Sequence, residues 1–244
     1  MSKKRVGIDI NEVLRARWLQ ADRFYADEFG EEGIPENEYV YDIWDKYVWK
    51  DTVEVTKEMR EPEDMPDDIN PLHYQVDKEG NSDADAFIFK PEEKVELTAR
   101  QVYNRFMYED FLFEIHGAAP KLYPQLDLDV NNFLLKYGDT VDFTVLSPEN
   151  KFSIPPTLFF LSKIQARFNN YKFVDKPLDM WKHVDVLITT NPEILKAGVP
   201  WGKKLIKLKR PYNQDMITGS LEVMQVVDLI ENKDFQKIIK YKSK

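Results

Sequence analysis

The chain has 244 residues, 43% of them apolar, no cysteine and a formal net charge of −9. That length holds one large domain or a core with an inserted cap, and the apolar content excludes a disordered chain. The missing cysteines exclude disulfides, thiolate metal sites and a cysteine nucleophile, and the acidic balance argues against a broad nucleic-acid footprint, which needs clustered Lys and Arg. No run approaches the length of a membrane span, and Met1-Ser2-Lys3-Lys4-Arg5 leads into a strand rather than a signal peptide. Lys3, Lys4 and Arg5 at one end, and Lys237, Lys240, Lys242 and Lys244 at the other, read as solubilising tails.

Residues 5–10 predict a short buried strand closed by Asp9. A helix follows, with Leu14, Trp18, Ala21, Tyr25 and Phe29 on one apolar face and Gly30 and Gly33 ending it. Arg15 and Arg17, at its start, read as solvated helix residues. Residues 31–100 change character. Glu61, Glu63, Asp64, Asp67 and Asp68 cluster around Pro62 and Pro66, while Tyr39, Tyr41, Trp44, Tyr47 and Trp49 are interleaved before them. Such a stretch is too acidic for a core and too aromatic for plain disorder. It predicts an insertion whose aromatics form a satellite core or a partner surface.

Residues 92–115 predict helix, broken by Gly117 and Pro120, and 124–137 another, stopped by Gly138. An α/β rhythm then resumes. Strands are expected at 141–146, 171–174, 184–188 and 204–208, an amphipathic helix at 156–168, and a closing helix at 220–230. Strands alternating with helices imply a parallel sheet covered on both faces, whose site lies beyond the carboxyl ends of its strands. Asp9, Ser147 and Thr189 would sit there. His73, His116 and His183 are scattered without metal-ligand spacing, so no zinc site is expected.

The strand tips carry the chemistry. The first reads Asp9-Ile10-Asn11, a second Leu146-Ser147-Pro148, and the strand at 184–188 ends in Thr189-Thr190-Asn191. Lys176 lies in Val174-Asp175-Lys176-Pro177, and Arg210-Pro211-Tyr212-Asn213 follows the next strand. In this order the motifs resemble the haloacid dehalogenase-like superfamily, and within it the 5'(3')-deoxyribonucleotidase-like branch. The resemblance covers residues 4–30 and roughly 122–230. It implies a three-layer Rossmannoid α/β fold, with a core domain over 1–30 and 122–244 and a cap over 31–121. It also implies that Asp9 holds the nucleophile position, Asn11 replaces the general acid/base, Ser147 binds the phosphoryl group, and Lys176 is the anion-facing lysine. Thr189 and Thr190 then stand where two metal-binding acids are usual.

The family opposes the charge of a carboxylate attacking a phosphate dianion with Mg²⁺, an ion that prefers hard, charged oxygen ligands. With threonines at those positions, no metal site and no cofactor are expected. An amide at Asn11 cannot shuttle a proton near neutral pH, and general acid–base help is worth about 10²–10⁴ in rate. The resemblance therefore implies a catalytically compromised protein. It would serve as a structural or binding component of a larger assembly, such as a bacteriophage particle, meeting other protein chains through the 31–121 insertion. Residence in the cytoplasm or a virion is expected, with no membrane or nucleic-acid partner. Thr189 and Thr190 would then at most hydrogen-bond a ligand. The alternative is a Mg²⁺-dependent 5'-nucleotidase that uses Asp9 with ligands such as Glu12 or Glu193. A nucleotide-binding pseudoenzyme is a third reading.

Overall fold

An apolar run interrupted by one glycine builds the centre of the sheet. In this computed structural model, which describes residues 3–35, 38–49, 97–216 and 221–240, Lys4–Asp9 form strand β1. Val6 and Ile8 are fully buried on one face. On the other face, a Cβ on Gly7 would lie 2.4 Å from Leu146 Cδ1 and 2.8 Å from Val184 Cγ1, so a side chain there would force those neighbours apart.

β1 pairs in parallel with β2 (Val141–Pro148) on one side and β4 (Val186–Thr189) on the other. β3 (Asn170–Val174) extends the first side, and β5 (Lys204–Leu208) and β6 (Leu221–Val223) extend the second. The order is β3-β2-β1-β4-β5-β6, with every pairing parallel. Alternation along the strands divides the core. Val6, Ile8, Val186, Ile188, Ile206 and Leu208 pack with α4 (Leu126–Tyr137), α5 (Ile154–Ile164) and α7 (Lys233–Lys240). Leu146, Leu187 and Leu205 face the other way, onto Met180, Trp181 and α6 (Pro192–Ala197). Burial on both faces is why these strands read as apolar runs rather than half-polar ones. The expected α/β sheet with helices on both faces is the fold observed.

Helix α1 (Arg17–Phe29) ends at Gly30, whose φ of 65° lets its N–H return to the Ala26 carbonyl. Of residues 92–115, expected as one helix, those up to 96 lie outside the described residues, and the rest fall into α2 (Ala99–Arg105), a π-turn over Phe106–Asp110 and α3 (Leu112–His116). The amphipathic helix starts two residues earlier than expected and stops at Gln165, whose φ of 50° takes the chain out of the helix before Arg167 and Phe168.

The closing helix is the larger correction. Leu221–Val223 is an edge strand, followed by a 3₁₀ turn over Val226–Leu229, and Ser220 lies outside the described residues. β5 would otherwise present unpaired backbone groups, and β6 satisfies them. The fully buried Lys207 ammonium fixes the register, 2.8 Å from Glu222 Oε1 and 2.6 Å from the Met216 carbonyl. Lys237 and Lys240 belong to α7, which buries Phe235, while Lys242 and Lys244 lie outside the described residues.

The chain divides into two compact units, residues 1–47 with 105–244, and residues 48–104. In the first, the aromatic run after α1 packs on that helix. Tyr47 stacks on Tyr25 at 3.9 Å and donates its hydroxyl to Asp22, and Tyr41 lies 5.9 Å from Trp18. In the second, Trp49 meets Tyr103 edge-on at 5.0 Å. The acidic cluster from Glu61 to Asp68 lies outside the described residues, as does His73. Among the described residues no helix is long and apolar enough to cross a membrane.

Candidate functional site

The parallel register brings the tips of β1, β2 and β4 to one edge. The chain leaves β1 through a tight loop in which Leu14 and Arg15 donate their N–H groups to the Ile10 carbonyl, and Glu12 N–H donates to the Arg15 carbonyl at 2.8 Å. Glu12 takes a φ of 60° to make this turn. The loop is tied from outside by Ala16 N–H on the Pro120 carbonyl and Leu122 N–H on the Leu14 carbonyl. These ties turn Arg15 inward.

Asp9, Asn11, Ser147, Thr189 and Thr190 are all buried and meet at this edge. Thr189 Oγ1 donates to Asp9 Oδ2 at 2.6 Å and accepts from Asn191 N–H at 3.0 Å. Thr190 Oγ1 donates to the Asn11 carbonyl at 3.4 Å. Asn11 Nδ2 donates to Ser147 Oγ at 3.1 Å. Asp9 Oδ1 has no hydrogen-bond partner among the described residues. Burial pushes the Asp9 carboxyl up to about 7, against the opposing pull of the Thr189 hydroxyl, the Asn11 peptide dipole and the Arg17 charge; the Glu149 carboxylate adds to the rise.

Lys176 does not join them. It is exposed beyond the end of β3, where the chain enters the 3₁₀ turn Pro177–Lys182. The cation that bonds the tip residues directly is Arg15. Arg15 is fully buried and Arg17 nearly so, which overturns the expectation that both are solvated. The reason is local charge: Arg15 forms a buried ion pair with Glu149, which a solvated guanidinium would forgo. Its Nε donates to Asn11 Oδ1 at 2.8 Å, and its Nη1 donates to the His116 carbonyl at 2.6 Å and to Thr157 Oγ1 at 2.8 Å. Burial lowers Arg15 to about 10, still protonated at neutral pH. Burial works against the Glu149 charge as well, but Arg15 and His116 outweigh it and hold the carboxyl well below its ordinary range. Burial drives His116 down to about 4, so its ring is neutral at pH 7.

The other acids are engaged elsewhere. Glu12 is fully buried, accepting from Trp18 N–H at 3.0 Å and from the Tyr39 hydroxyl at 2.6 Å. Glu193 is exposed on α6. Asp185, at the opposite end of the sheet, pairs with Arg5 at 2.8 Å and Lys203 at 3.2 Å. The Arg210–Asn213 turn closes the edge, with Arg210 Nε donating to the Glu12 carbonyl at 3.2 Å and Asn213 Nδ2 to the Thr190 carbonyl at 3.3 Å. Among the described residues no group of three or more His, Asp or Glu is placed to hold a metal ion.

Sequence reasoning missed Arg15, Glu149, His116, Ser153 and Thr157. One signal was available: an acid two residues beyond a strand-tip serine. Nothing local to Arg15 marks it as its partner.

No protein-family model matches the sequence, and no curated protein matches it. Among solved structures, the chain is similar to an L-2-haloacid dehalogenase, with 13% identity, 94% of this chain and 98% of that chain covered, and a TM-score of 0.48. It is also similar to a haloacid dehalogenase-like hydrolase from Burkholderia xenovorans LB400, with 11% identity, 96% and 98% coverage, and a TM-score of 0.48.

Proposed function

We propose that the chain is a degenerate haloacid dehalogenase-like protein that acts by binding other proteins and not by catalysis. One observation carries this reading. The oxygens of the first tip, Asp9 Oδ2 and the Asn11 carbonyl, accept hydrogen bonds from the Thr189 and Thr190 hydroxyls, so the fourth strand offers them neutral donors in place of anionic ligands. This donor set does not fit a magnesium ion, which needs several hard oxygen ligands facing one point. Asn11 holds Ser147 and Arg15 instead of carrying a reactive proton. Without the ion and the acid/base, a vestigial nucleophile at Asp9 has neither charge compensation nor a proton route.

A structural or binding role in a large assembly, such as a phage particle, suits a core kept for its surface. Support comes from the apolar side chains left outside: Phe113 and Phe159 are about half exposed and in ring contact at 5.0 Å, and Leu158 and Phe152 are exposed as well. Partner chains would meet the protein through the 31–121 region, which contributes Phe113. A cytoplasmic or virion location belongs to the same reading.

The test is phosphate release from deoxynucleoside monophosphates with Mg²⁺, alongside Mg²⁺ titration by calorimetry. No turnover and no Mg²⁺ binding are expected. Turnover that Asp9→Asn abolishes would establish the Mg²⁺-dependent nucleotidase instead.

A further inference from the structure

Glu149 follows the β2 tip, next to exposed Asn150, Lys151 and Phe152, yet its carboxylate turns into the protein and is fully shielded from solvent. Water would solvate that charge at no cost, so the interior must supply a full set of donors. Oε1 accepts from Arg15 Nη2, from Ser147 Oγ at 2.7 Å and from Asn11 Nδ2 at 3.3 Å. Oε2 accepts from Ser153 Oγ at 2.5 Å and lies 3.5 Å from His116 Nδ1. These groups come from the β1 loop, the β2 tip, the residue before α5 and the end of α3. They converge at the carboxyl edge of a parallel sheet, where ligands of such sheets bind. A guanidinium, hydroxyls and an amide around one planar carboxylate form a complete oxyanion cradle.

We infer that this edge is an oxyanion-binding site occupied by the chain's own Glu149 side chain, and that removing that side chain leaves a site for a small free oxyanion. The inference deepens the non-catalytic reading of the same edge: an internal carboxylate covalently tied to the chain excludes a diffusible phosphate from Ser147, Asn11 and Arg15. It requires that the donors are arranged independently of Glu149. Arg15 meets that condition through Thr157 Oγ1 and the His116 carbonyl, neither of which bonds the carboxylate; Asn11 is shared between Arg15 and Glu149.

The experiment is thermal unfolding of Glu149→Ala, Glu149→Gln and wild type at pH 7.5 in chloride, formate, acetate or phosphate at equal ionic strength. Glu149→Ala is expected to rise by about 3–6 °C, beyond any rise of wild type, at ten times the dissociation constant of at least one oxyanion. Glu149→Gln fills the space and should respond no more than wild type. Adding Arg15→Met to Glu149→Ala should remove the response. If Glu149→Ala folds poorly in chloride, its refolding yield in formate against chloride is the readout. Equal yields, or midpoints that track wild type in every anion, would overturn the inference. Phosphate release by wild type would sink the non-catalytic reading and the exclusion of phosphate with it, whereas the anion response of Glu149→Ala reads the cradle alone, so the two failures are distinguishable.

Discussion

Replacing Asp9 with Asn should stabilise the protein, and increasingly so as pH rises. Asp9 is fully buried, and its carboxyl is raised from an ordinary 3.8 to about 7, chiefly by burial. The sign follows from linkage. A raised native value means the native state holds the proton more tightly than the unfolded chain does. Stability is therefore greatest while the group is protonated in both states, falls as pH rises from about 4 to about 7, and is level above that. At 1.36 kcal/mol per pH unit the full loss is about 4 kcal/mol, of which about 3 kcal/mol falls between pH 5 and pH 8. Among the charges acting on Asp9, Arg17 lowers its value and Glu149 raises it, and Arg15 interacts with it as well. Asn keeps an acceptor for the Thr189 hydroxyl and carries no charge. Urea unfolding of wild type and Asp9→Asn at pH 5, 6, 7 and 8 reads the difference directly. The variant should gain about 3 kcal/mol on wild type across that range. Thr189→Val, which deletes the donor, should move the wild-type transition to higher pH. A difference that does not change with pH, or a wild type that is the more stable at pH 8, would refute the reasoning.

Further predictions concern the buried contacts. Arg15→Met leaves Glu149 as an unpaired buried charge and should cost about 3–5 kcal/mol in urea unfolding, whereas Arg15→Met with Glu149→Leu should recover most of that loss. Gly7→Ala drives a methyl into Leu146 and Val184 and should cost about 1–3 kcal/mol by the same assay. Tyr39→Phe removes the hydroxyl that donates to Glu12 and accepts from Leu19 N–H, and should cost about 1.5–3 kcal/mol because the buried carboxylate loses a donor. Its effect should grow with pH, since burial already raises Glu12 and the Tyr39 hydroxyl holds it down.

The sequence by itself determined the sheet and most of its edge. A strand buried on both faces needs a continuous apolar run, and a parallel strand must end at the same edge as its neighbours. Val6 to Asp9, Val141 to Ser147 and Val186 to Thr189 therefore announced both the core and the residues at its mouth. Tertiary structure alone decided what those residues do. Arg15 and Glu149 lie 134 positions apart, and no local periodicity joins them. Read alone, Arg15 looks like a solvated helix residue, and Glu149 looks like a turn acid. Leu221 to Val223 was misread for a related reason: a short stretch compatible with a helix becomes a strand when an unpaired edge and a buried Lys207 lie beside it. Local pattern records how each residue meets its own segment. Charge pairing and edge pairing are settled by residues distant in sequence, because burial makes an unpaired group too costly to leave.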